Sequence, residues 1–317
     1  MTSRTGRQLA ASRAGRPAAR TAPRARRAVG VVLALAMAAG TAACTDEAEP
    51  TPQVVVTGEL GGQPELQFEA PLAVTEPSVE VVAEGTGPTL SDGDPVLLNF
   101  YAVSAADASL INETYSSEPR AYELSEESIG VEIYRALLGQ HVGSRILHVV
   151  PASEGQAAGT VAVFDILPTR ADGEILDPRE GLPTVERGDD GTPVVTIPPE
   201  TPPPADLVVV PLIRGIGPQV SAGQVITVQY VGVTWSNGSV FESSWDAGEL
   251  PVSFPIGVQS VLEGWDVGLI EQPVGSQVML VVPPSMAYGG TPNELAEETL
   301  VYVVDILSAV GGPEVTS

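Results

Sequence analysis

Residues 225–235 read VITVQYVGVTW, and Asn237-Gly238 and the run 239–243 (SVFES) follow closely. Valine and isoleucine dominate the first run, which is typical of a strand. Asn-Gly favours a type I′ turn, which would return the chain as the second strand of a hairpin. Four more apolar runs surround this hairpin and predict further strands: residues 207–213, 250–254, 276–282 and 299–307.

One helical pattern interrupts these strands. Val258, Val261, Leu262, Trp265 and Leu269 fall at positions i, i+3, i+4, i+7 and i+11. That spacing places them on one face and predicts a short amphipathic helix with a tryptophan at its centre. Many antiparallel strands with a single short helix indicate an α+β domain, in which one sheet curls over the helix.

The same pattern occurs twice in the 317 residues. Gly87-Pro88 returns as Gly217-Pro218, and Phe100 has its counterpart in Tyr230, each 130 positions later. The lag grows to 140 for the Asp-Ile-Leu at 165–167, which returns at 305–307. We therefore predict two copies of one domain, of which the second has longer loops in its later half.

The second copy contains five motifs in the following order along the chain: VQYVGV, VFESSW, VLEGWDVGL, VGSQVMLVVPPSMAYGG and TLVYVVDIL. Together they resemble the FKBP-type peptidyl-prolyl cis-trans isomerases over about residues 207–307, with a weaker echo over about 81–167. The resemblance implies two FKBP-like domains of class α+β, each an antiparallel β-sheet curled around one short α-helix. It also implies isomerase activity in the second.

Proline isomerisation does not require a nucleophile, a metal ion or a titrating base. Rotation about an X-Pro bond is opposed by amide resonance, with a barrier of about 18–20 kcal/mol. A twisted amide is less polar than a planar one, so an apolar, water-poor pocket favours it without a covalent step. Only two histidines, His141 and His148, and one cysteine are present. We accordingly expect neither a metal site nor a cofactor.

The resemblance also assigns roles to residues. Trp265 would form the floor under the proline ring, Tyr288 would offer its hydroxyl to the substrate carbonyl, and the backbone N–H of Leu262 would bind a ligand carbonyl. Glu242 stands where the family usually has aspartate. The implied walls are Tyr230, Phe241, Val261, Leu262 and Tyr302.

One loop departs from the family pattern. Residues 290–298 (GTPNELAEE) are shorter than usual and lack the Ile-Pro-Pro of the pocket rim, where Leu295 could stand in. This loop would contact the residue before proline, so substrate preference remains open. The working hypothesis is a preference for an apolar residue there.

The first copy lacks most of this set. Its counterparts are Phe100, Ile111, Asn112, Ile133 and Ala162, and residues 152–160 (ASEGQAAGT) contain no tyrosine. We expect a fold retained without its active site, which either holds the catalytic domain away from a membrane or binds client chains. His148, which alternates within a strand, is expected at a surface or satisfied position.

The beginning of the chain predicts export. Eight arginines precede residue 28, an apolar run spans 28–40, and Thr41-Ala42-Ala43-Cys44 resembles a bacterial lipobox. We therefore expect a lipoprotein signal peptide at 1–43, lipid on Cys44, a tether at 44–57 and a location on the outer face of the bacterial cell membrane. The alternative is a plain secretory signal with an incidental cysteine.

The remaining organisation follows from composition. Beyond residue 43, 7 arginines and no lysine face 40 carboxylates, which argues against a nucleic-acid partner. We predict a degenerate FKBP-like domain at 58–170, a proline-rich linker with a possible N-terminal strand at 171–205, and the isomerase domain at 206–312. Such a protein would act as a monomer on X-Pro segments of unfolded exported proteins and could take macrolide ligands. The rival function is a non-catalytic exported chaperone or binding module.

Overall fold

The computed structural model describes residues 54–312, except 154, 156, 189, 190, 247 and 248. The predicted signal peptide, Cys44 and most of the predicted tether lie outside the described residues. No helix among the described residues combines the length and the apolar character that a membrane crossing requires.

Strands make up most of the ordered structure. The first copy contains β1 (Val55–Thr57), β2 (Glu65–Gln67), β3 (Ser78–Ala83), β4 (Pro95–Ser104), β5 (Leu110–Glu113), β6 (Arg120–Glu123), β7 (Arg145–Val150) and β8 (Thr160–Leu167). The rest of the chain contains β9 (Glu174–Ile175), β10 (Thr184–Arg187), β11 (Pro193–Thr196), β12 (Val208–Arg214), β13 (Gln224–Thr234), β14 (Val240–Ser243), β15 (Val252–Pro255), β16 (Gln277–Val282) and β17 (Leu300–Gly311). The helices are α1 (Glu126–Ile129), α2 (Val131–Leu137) and α3 (Glu263–Gly268), with a 3₁₀ turn at Pro284–Met286.

The two main sheets have the same topology. In the first copy the order is β3-β7-β8-β4-β5, with β6 also paired to β4. In the second copy the order is β12-β16-β17-β13-β14, with β15 also paired to β13 and β9 added beside β12. All of these pairs are antiparallel. The described residues therefore contain the repeated sheet that the sequence predicts.

Strand register fixes which residues correspond between the copies. Ala102 lies opposite Ala162 in the first sheet, and Gly232 lies opposite Tyr302 in the second. His148 is also opposite Ala162, as Leu280 is opposite Tyr302. Ala162 is thus the counterpart of Tyr302, and His148 is the counterpart of Leu280.

The helical part of the first copy differs from the prediction of one helix per domain. Two short helices, α1 and α2, are separated by Gly130, whose φ of 79° lies in the left-handed region. That conformation interrupts the i to i−4 hydrogen-bond ladder and is open mainly to glycine. In the second copy, α3 begins only at Glu263, because Gln259 has a φ of 63° and the preceding residues form a loop.

Each sheet also carries a small hairpin. β1 pairs with β2, and β10 pairs with β11, both antiparallel. Val56 and Leu66 pack on one face of the first sheet, and Val185 and Val195 pack on one face of the second. β10 and β11 lie within residues 171–205, so this segment holds a paired hairpin in addition to the extended stretch expected of a linker.

The opposite face of the second sheet holds the larger aromatic core. Trp265 and Leu269, from α3 and its end, pack there with residues of six strands. In the first copy the corresponding face holds Leu137 of α2 with Leu98, Ile146 and Phe164. The helix and the sheet thus enclose a core in each copy, and the aromatic side chains are concentrated in the second.

Candidate active site

A cavity of about 290 Å³ opens between α3 and the second sheet. Nine residues line it: Tyr230, Glu242, Phe254, Ser260, Val261, Leu262, Trp265, Tyr288 and Tyr302. All but Glu242 and Ser260 contribute aromatic or aliphatic side chains. Seven of the eight residues assigned by the family resemblance are therefore brought together around one space.

Trp265 occupies the base of this group. Its ring lies edge-on to the rings of Tyr230, Tyr302 and Phe254, at centroid distances of 5.1, 5.3 and 5.8 Å. Edge-to-face contacts of this kind are favourable because the positive edge of one ring meets the negative face of the next. The tryptophan is only 4% exposed, so its orientation is fixed by packing.

Two glycines allow α3 to lie close to the sheet. A Cβ added to Gly264 would stand 2.5 Å from Val282, and one added to Gly268 would stand 2.6 Å from Leu280. Any side chain at these positions would push the helix away from β16. The sequence EGWDVG therefore combines a buried tryptophan with the close approach that seats it against Tyr302.

Phe241 supports the wall from behind. Its ring is edge-on to Tyr302 at 5.6 Å, and it is not one of the nine residues that line the cavity. It occupies the space above Gly232, where an added Cβ would be 2.6 Å from the phenyl ring. Phe241 thus orients Tyr302, whereas the prediction made it a wall residue itself.

The polar edge of the cavity is built on a tyrosine–carboxylate pair. The Tyr230 hydroxyl donates a hydrogen bond of 2.6 Å to Oε1 of Glu242. Burial, followed by this bond, raises the pKa of Tyr230. Burial also raises the pKa of Tyr302, with smaller contributions from Tyr288 and Glu242. Both phenols therefore stay protonated at neutral pH and can serve as hydrogen-bond donors.

The loop before α3 is held by a buried carboxylate. Asp266 accepts hydrogen bonds from the backbone N–H groups of Gly257 and Gln259, at 2.6 and 2.7 Å. This fixes the path by which the chain reaches Val261 and Leu262 at the cavity. The N–H of Leu262 makes no hydrogen bond with any described residue.

The opposite rim comes from residues 283–299, between β16 and β17. Tyr288 follows the 3₁₀ turn and lines the cavity, and its carbonyl accepts hydrogen bonds from the N–H and hydroxyl of Thr291. Leu295 packs against the aromatic core and is not among the residues that line the cavity.

Sequence reasoning missed Phe254 and Ser260 as lining residues. Phe254 lies on β15 opposite Ile226 of β13, and its ring faces those of Tyr230 and Trp265. The alternation of Val252, Phe254 and Ile256 is a signal that could have found it. Ser260 carries no such signal, since its position depends on the loop that Asp266 holds.

Groups for metal or nucleophilic chemistry are scarce around this cavity. Among the described residues, no three His, Cys, Asp or Glu side chains stand where they could jointly hold a metal ion. The indole Nε1 of Trp265 is buried and has no hydrogen-bond partner among them. The arrangement can bind a compact apolar group and present hydroxyl and amide donors at its edge.

Comparisons with known proteins agree with this geometry. The sequence model of the family described as FKBP-type peptidyl-prolyl cis-trans isomerase matches residues 217–307. The FK506-binding protein of Streptomyces anulatus is 39% identical over 110 residues, which cover 33% of this chain and 88% of that protein. A probable FK506-binding protein of Corynebacterium glutamicum is 38% identical over 113 residues, covering 35% of this chain and 93% of that protein. The peptidyl-prolyl cis-trans isomerase FKBP14 of Mus musculus is 37% identical over 94 residues, covering 29% and 44% of the two chains.

Proposed function

The chain belongs to the FKBP-type peptidyl-prolyl cis-trans isomerases, and from this premise we propose that catalysis takes place in the cavity of the second copy, between α3 and the sheet. The observation that carries the proposal is the floor of edge-on rings around Trp265, which lies within the residues that the family model matches.

The proposed mechanism is stabilisation of the twisted amide. The proline ring rests on Trp265, between Tyr230 and Tyr302, and the reacting amide lies in surroundings poor in water. A planar amide loses more solvation there than a twisted one, because the twisted carbonyl is less polar. The cavity therefore favours the transition state over the ground state without forming a covalent bond.

Polar groups at the edge would orient the substrate. Tyr288 offers a hydroxyl to the substrate carbonyl, and the Leu262 N–H, which has no described partner, offers a second donor. Glu242 holds the hydroxyl of Tyr230 and places a carboxylate near the amide. Val261 and Leu262 complete the apolar rim, and Phe241 keeps Tyr302 in position through its edge-on contact.

The proposed substrates are X-Pro segments of unfolded exported or cell-surface proteins, with an apolar residue before the proline. Support comes from the lining of the cavity, in which aromatic and aliphatic side chains predominate. Macrolide ligands are a further proposal, since two of the relatives carry the name FK506-binding protein. The protein would act as a monomer, with the lipid on Cys44 holding it at the outer face of the bacterial cell membrane.

A second candidate function is a non-catalytic chaperone that holds proline-containing segments in the same cavity. The N–H of Leu262, which has no partner among the described residues, and the apolar lining suit such binding equally well. The hydrogen bond between Tyr230 and Glu242 favours catalysis, because holding an apolar segment does not require a fixed polar edge.

The test is a proline-isomerisation assay of the full chain and of the Trp265→Ile variant, which gives the second copy the residue of the first. We expect kcat/KM to fall at least about tenfold, which corresponds to roughly 1.4 kcal/mol of lost transition-state stabilisation. The matched control is Trp245→Phe, since Trp245 packs against the core on the other side of the sheet.

The two candidate functions predict different outcomes. A parent chain that binds a proline peptide without accelerating its cis-trans exchange would support the holding function. Unchanged turnover in Trp265→Ile would contradict catalysis in this cavity.

A further inference from the structure

The first copy contains a larger cavity than the candidate active site. It measures about 630 Å³, against about 290 Å³ in the second copy, and it occupies the corresponding place between α2 and the sheet. Leu98, Phe100, Ile133, Ala162 and Phe164 supply much of its apolar lining. Its volume falls within the range of about 300–1,000 Å³ that is usual for pockets that bind small organic molecules.

The enlargement has identifiable causes. Ala162 stands in register with Tyr302, so one aromatic ring is missing from the wall. Ile133 replaces the tryptophan of the floor, which removes a second ring. The connection between β7 and β8 spans only residues 151–159, whereas residues 283–299 cover the corresponding side of the second copy. The space is therefore shaped by the loss of two rings and a loop.

Among the polar residues that line this space, which include Ser128, Glu132 and Thr160, His148 lies on the sheet beside Ala162. His148, the counterpart of Leu280, lines the cavity and is 4% exposed, so of the two expected positions, surface or satisfied, the surface position is wrong. Its ring nitrogens make no hydrogen bond with any described residue, and its ring contacts Phe164 at 6.3 Å. Burial lowers the pKa of His148, with an opposing influence from Glu132, so the imidazole is neutral at neutral pH. A neutral imidazole can both donate and accept a hydrogen bond.

We propose that the first copy is a binding site for an aromatic ligand that carries a hydroxyl group. The ring system fills the space that Tyr302 and Trp265 occupy in the second copy, and the hydroxyl binds the imidazole of His148. An apolar cavity left by a missing side chain readily takes an aromatic ring. A hydroxyl on that ring supplies a hydrogen-bond partner for the imidazole, whose nitrogens bond to no other described residue.

This site is not a second isomerase centre. Phe100 and Asn112 stand in place of the hydrogen-bonded Tyr230 and Glu242, so the polar edge is missing. The proposal does not depend on the function proposed for the second copy, because no residue of that cavity takes part.

The probes for the test are 2-naphthol and naphthalene, which differ by one hydroxyl. Binding to the full-length chain is measured by equilibrium dialysis and by fluorescence of the probe. We expect 2-naphthol to bind about tenfold more tightly, as one additional hydrogen bond predicts. His148→Leu should reduce the affinity for 2-naphthol to that for naphthalene.

Variants that refill the cavity test the location. Ala162→Tyr and Ile133→Trp each restore a ring of the second copy and should abolish binding of both probes at this site. The control Leu110→Tyr adds a tyrosine at an exposed position that does not line the cavity and should bind like the parent chain. Thermal melts show whether each variant is folded. Unchanged affinity in both folded refilling variants would overturn the proposal, and so would equal affinities of the two probes for the parent chain.

The phenolic ring could belong to a free small molecule or to a tyrosine side chain. A short peptide with tyrosine and its phenylalanine analogue are therefore added in competition with 2-naphthol. Displacement by the tyrosine peptide alone would identify a polypeptide source. Displacement by neither peptide would support a free phenolic ligand.

Discussion

The two copies differ in side chains far more than in backbone. Their sheets share one strand order, yet the second encloses a small aromatic cavity and the first a cavity of more than twice the volume. Changes at Ala162 and Ile133, together with the shorter segment 151–159, account for the difference. Strand order thus depends on apolar alternation along the whole sheet, whereas the character of the pocket depends on a handful of positions.

The two copies also differ in the partners of a buried carboxylate that occurs at the same place in each sheet. In the first copy Asp165 pairs with Arg145 at 2.6 Å, and the same guanidinium donates to the carbonyls of Gly58, Glu59 and Gly62. In the second copy Asp305 accepts from Gln277 Nε2 and from the backbone N–H of Ala171, both at 2.7 Å. One carboxylate is paired with a buried guanidinium, whereas the other accepts these two hydrogen bonds from neutral groups, and Arg187 and Arg170 only partly oppose the effect of burial on its pKa.

Removing the charge in the first copy should have the largest effect. Arg145→Gln gives this copy the residue of the second and leaves Asp165 buried without its cation. Breaking a buried ion pair costs about 3–5 kcal/mol, so we expect a loss of that size in the free energy of unfolding, measured by urea denaturation followed by circular dichroism.

The control is Arg135→Gln, whose exposed partner Glu132 lies 3.9 Å away. An exposed pair contributes about 0–1 kcal/mol. Equal effects of the two substitutions would show that the buried pair does not stabilise the first copy.

Asp266→Asn tests how the second copy positions its loop. The amide can accept from only one of the two N–H groups of Gly257 and Gln259, and its own NH₂ then faces the other. We expect a loss of about 1–3 kcal/mol in stability, the usual cost of an unsatisfied buried group, and a higher KM for a proline peptide. Asp94, which is half-buried and accepts from Ser91 N–H at 2.7 Å, supplies the control Asp94→Asn. An unchanged KM in Asp266→Asn would mean that the loop does not need this carboxylate.

Tyr230→Phe converts one element of the polar edge to its counterpart in the first copy. The hydrogen bond to Glu242 is lost, which corresponds to about 0.5–1.5 kcal/mol and thus to a roughly two- to tenfold lower kcat/KM. Tyr134→Phe removes a comparable surface bond to Asp92, of 2.9 Å, and should leave kcat/KM unchanged. Equal activities of the parent chain and Tyr230→Phe would exclude this hydroxyl from the mechanism.

The smallest expected effect concerns pH. Burial raises the pKa of Asp305 above its ordinary value, so the folded state holds this proton in a range where the unfolded state, with a pKa of about 3.9, has lost it. The free energy of unfolding should therefore fall as pH rises through that range. The Asp305→Asn variant should lack this component.

Tryptophan fluorescence suits the measurement, because Trp235, Trp245 and Trp265 all lie in the second copy. Urea unfolding is followed at several pH values between 4 and 7. Identical pH dependence in the parent chain and the variant would contradict the raised pKa.

Much of the fold and of the candidate site could be predicted from the sequence wherever side chains repeat with a regular period. The strands around Tyr230 follow from alternation, and the correspondence of Ala162 with Tyr302 follows from the offset between the copies, which is 140 in this part of the chain. The start of α3 could not be predicted, because Val258 and Val261 match the helical spacing while Gln259 adopts a positive φ. The position of Phe241 behind Tyr302 depends on side-chain packing, which periodicity does not determine.

The cavity of the first copy could not be predicted from the sequence either. Small residues in place of Tyr302 and Trp265 indicate a lost active site, but they do not show whether the core collapses or leaves a space. His148 illustrates the difficulty, because alternation alone does not reveal which face of its strand is covered.

The central claim is that proline binding and turnover belong to the second copy alone. The most direct test is a nuclear magnetic resonance titration of the isotope-labelled full-length chain with a short peptide containing an apolar residue before proline. We predict shift changes and exchange broadening at Val261, Leu262, Trp265 and Tyr302, with none at Phe100 or Ala162. Perturbation of the first copy's cavity by this peptide, or an unperturbed Trp265 indole while cis-trans exchange is accelerated, would contradict the account.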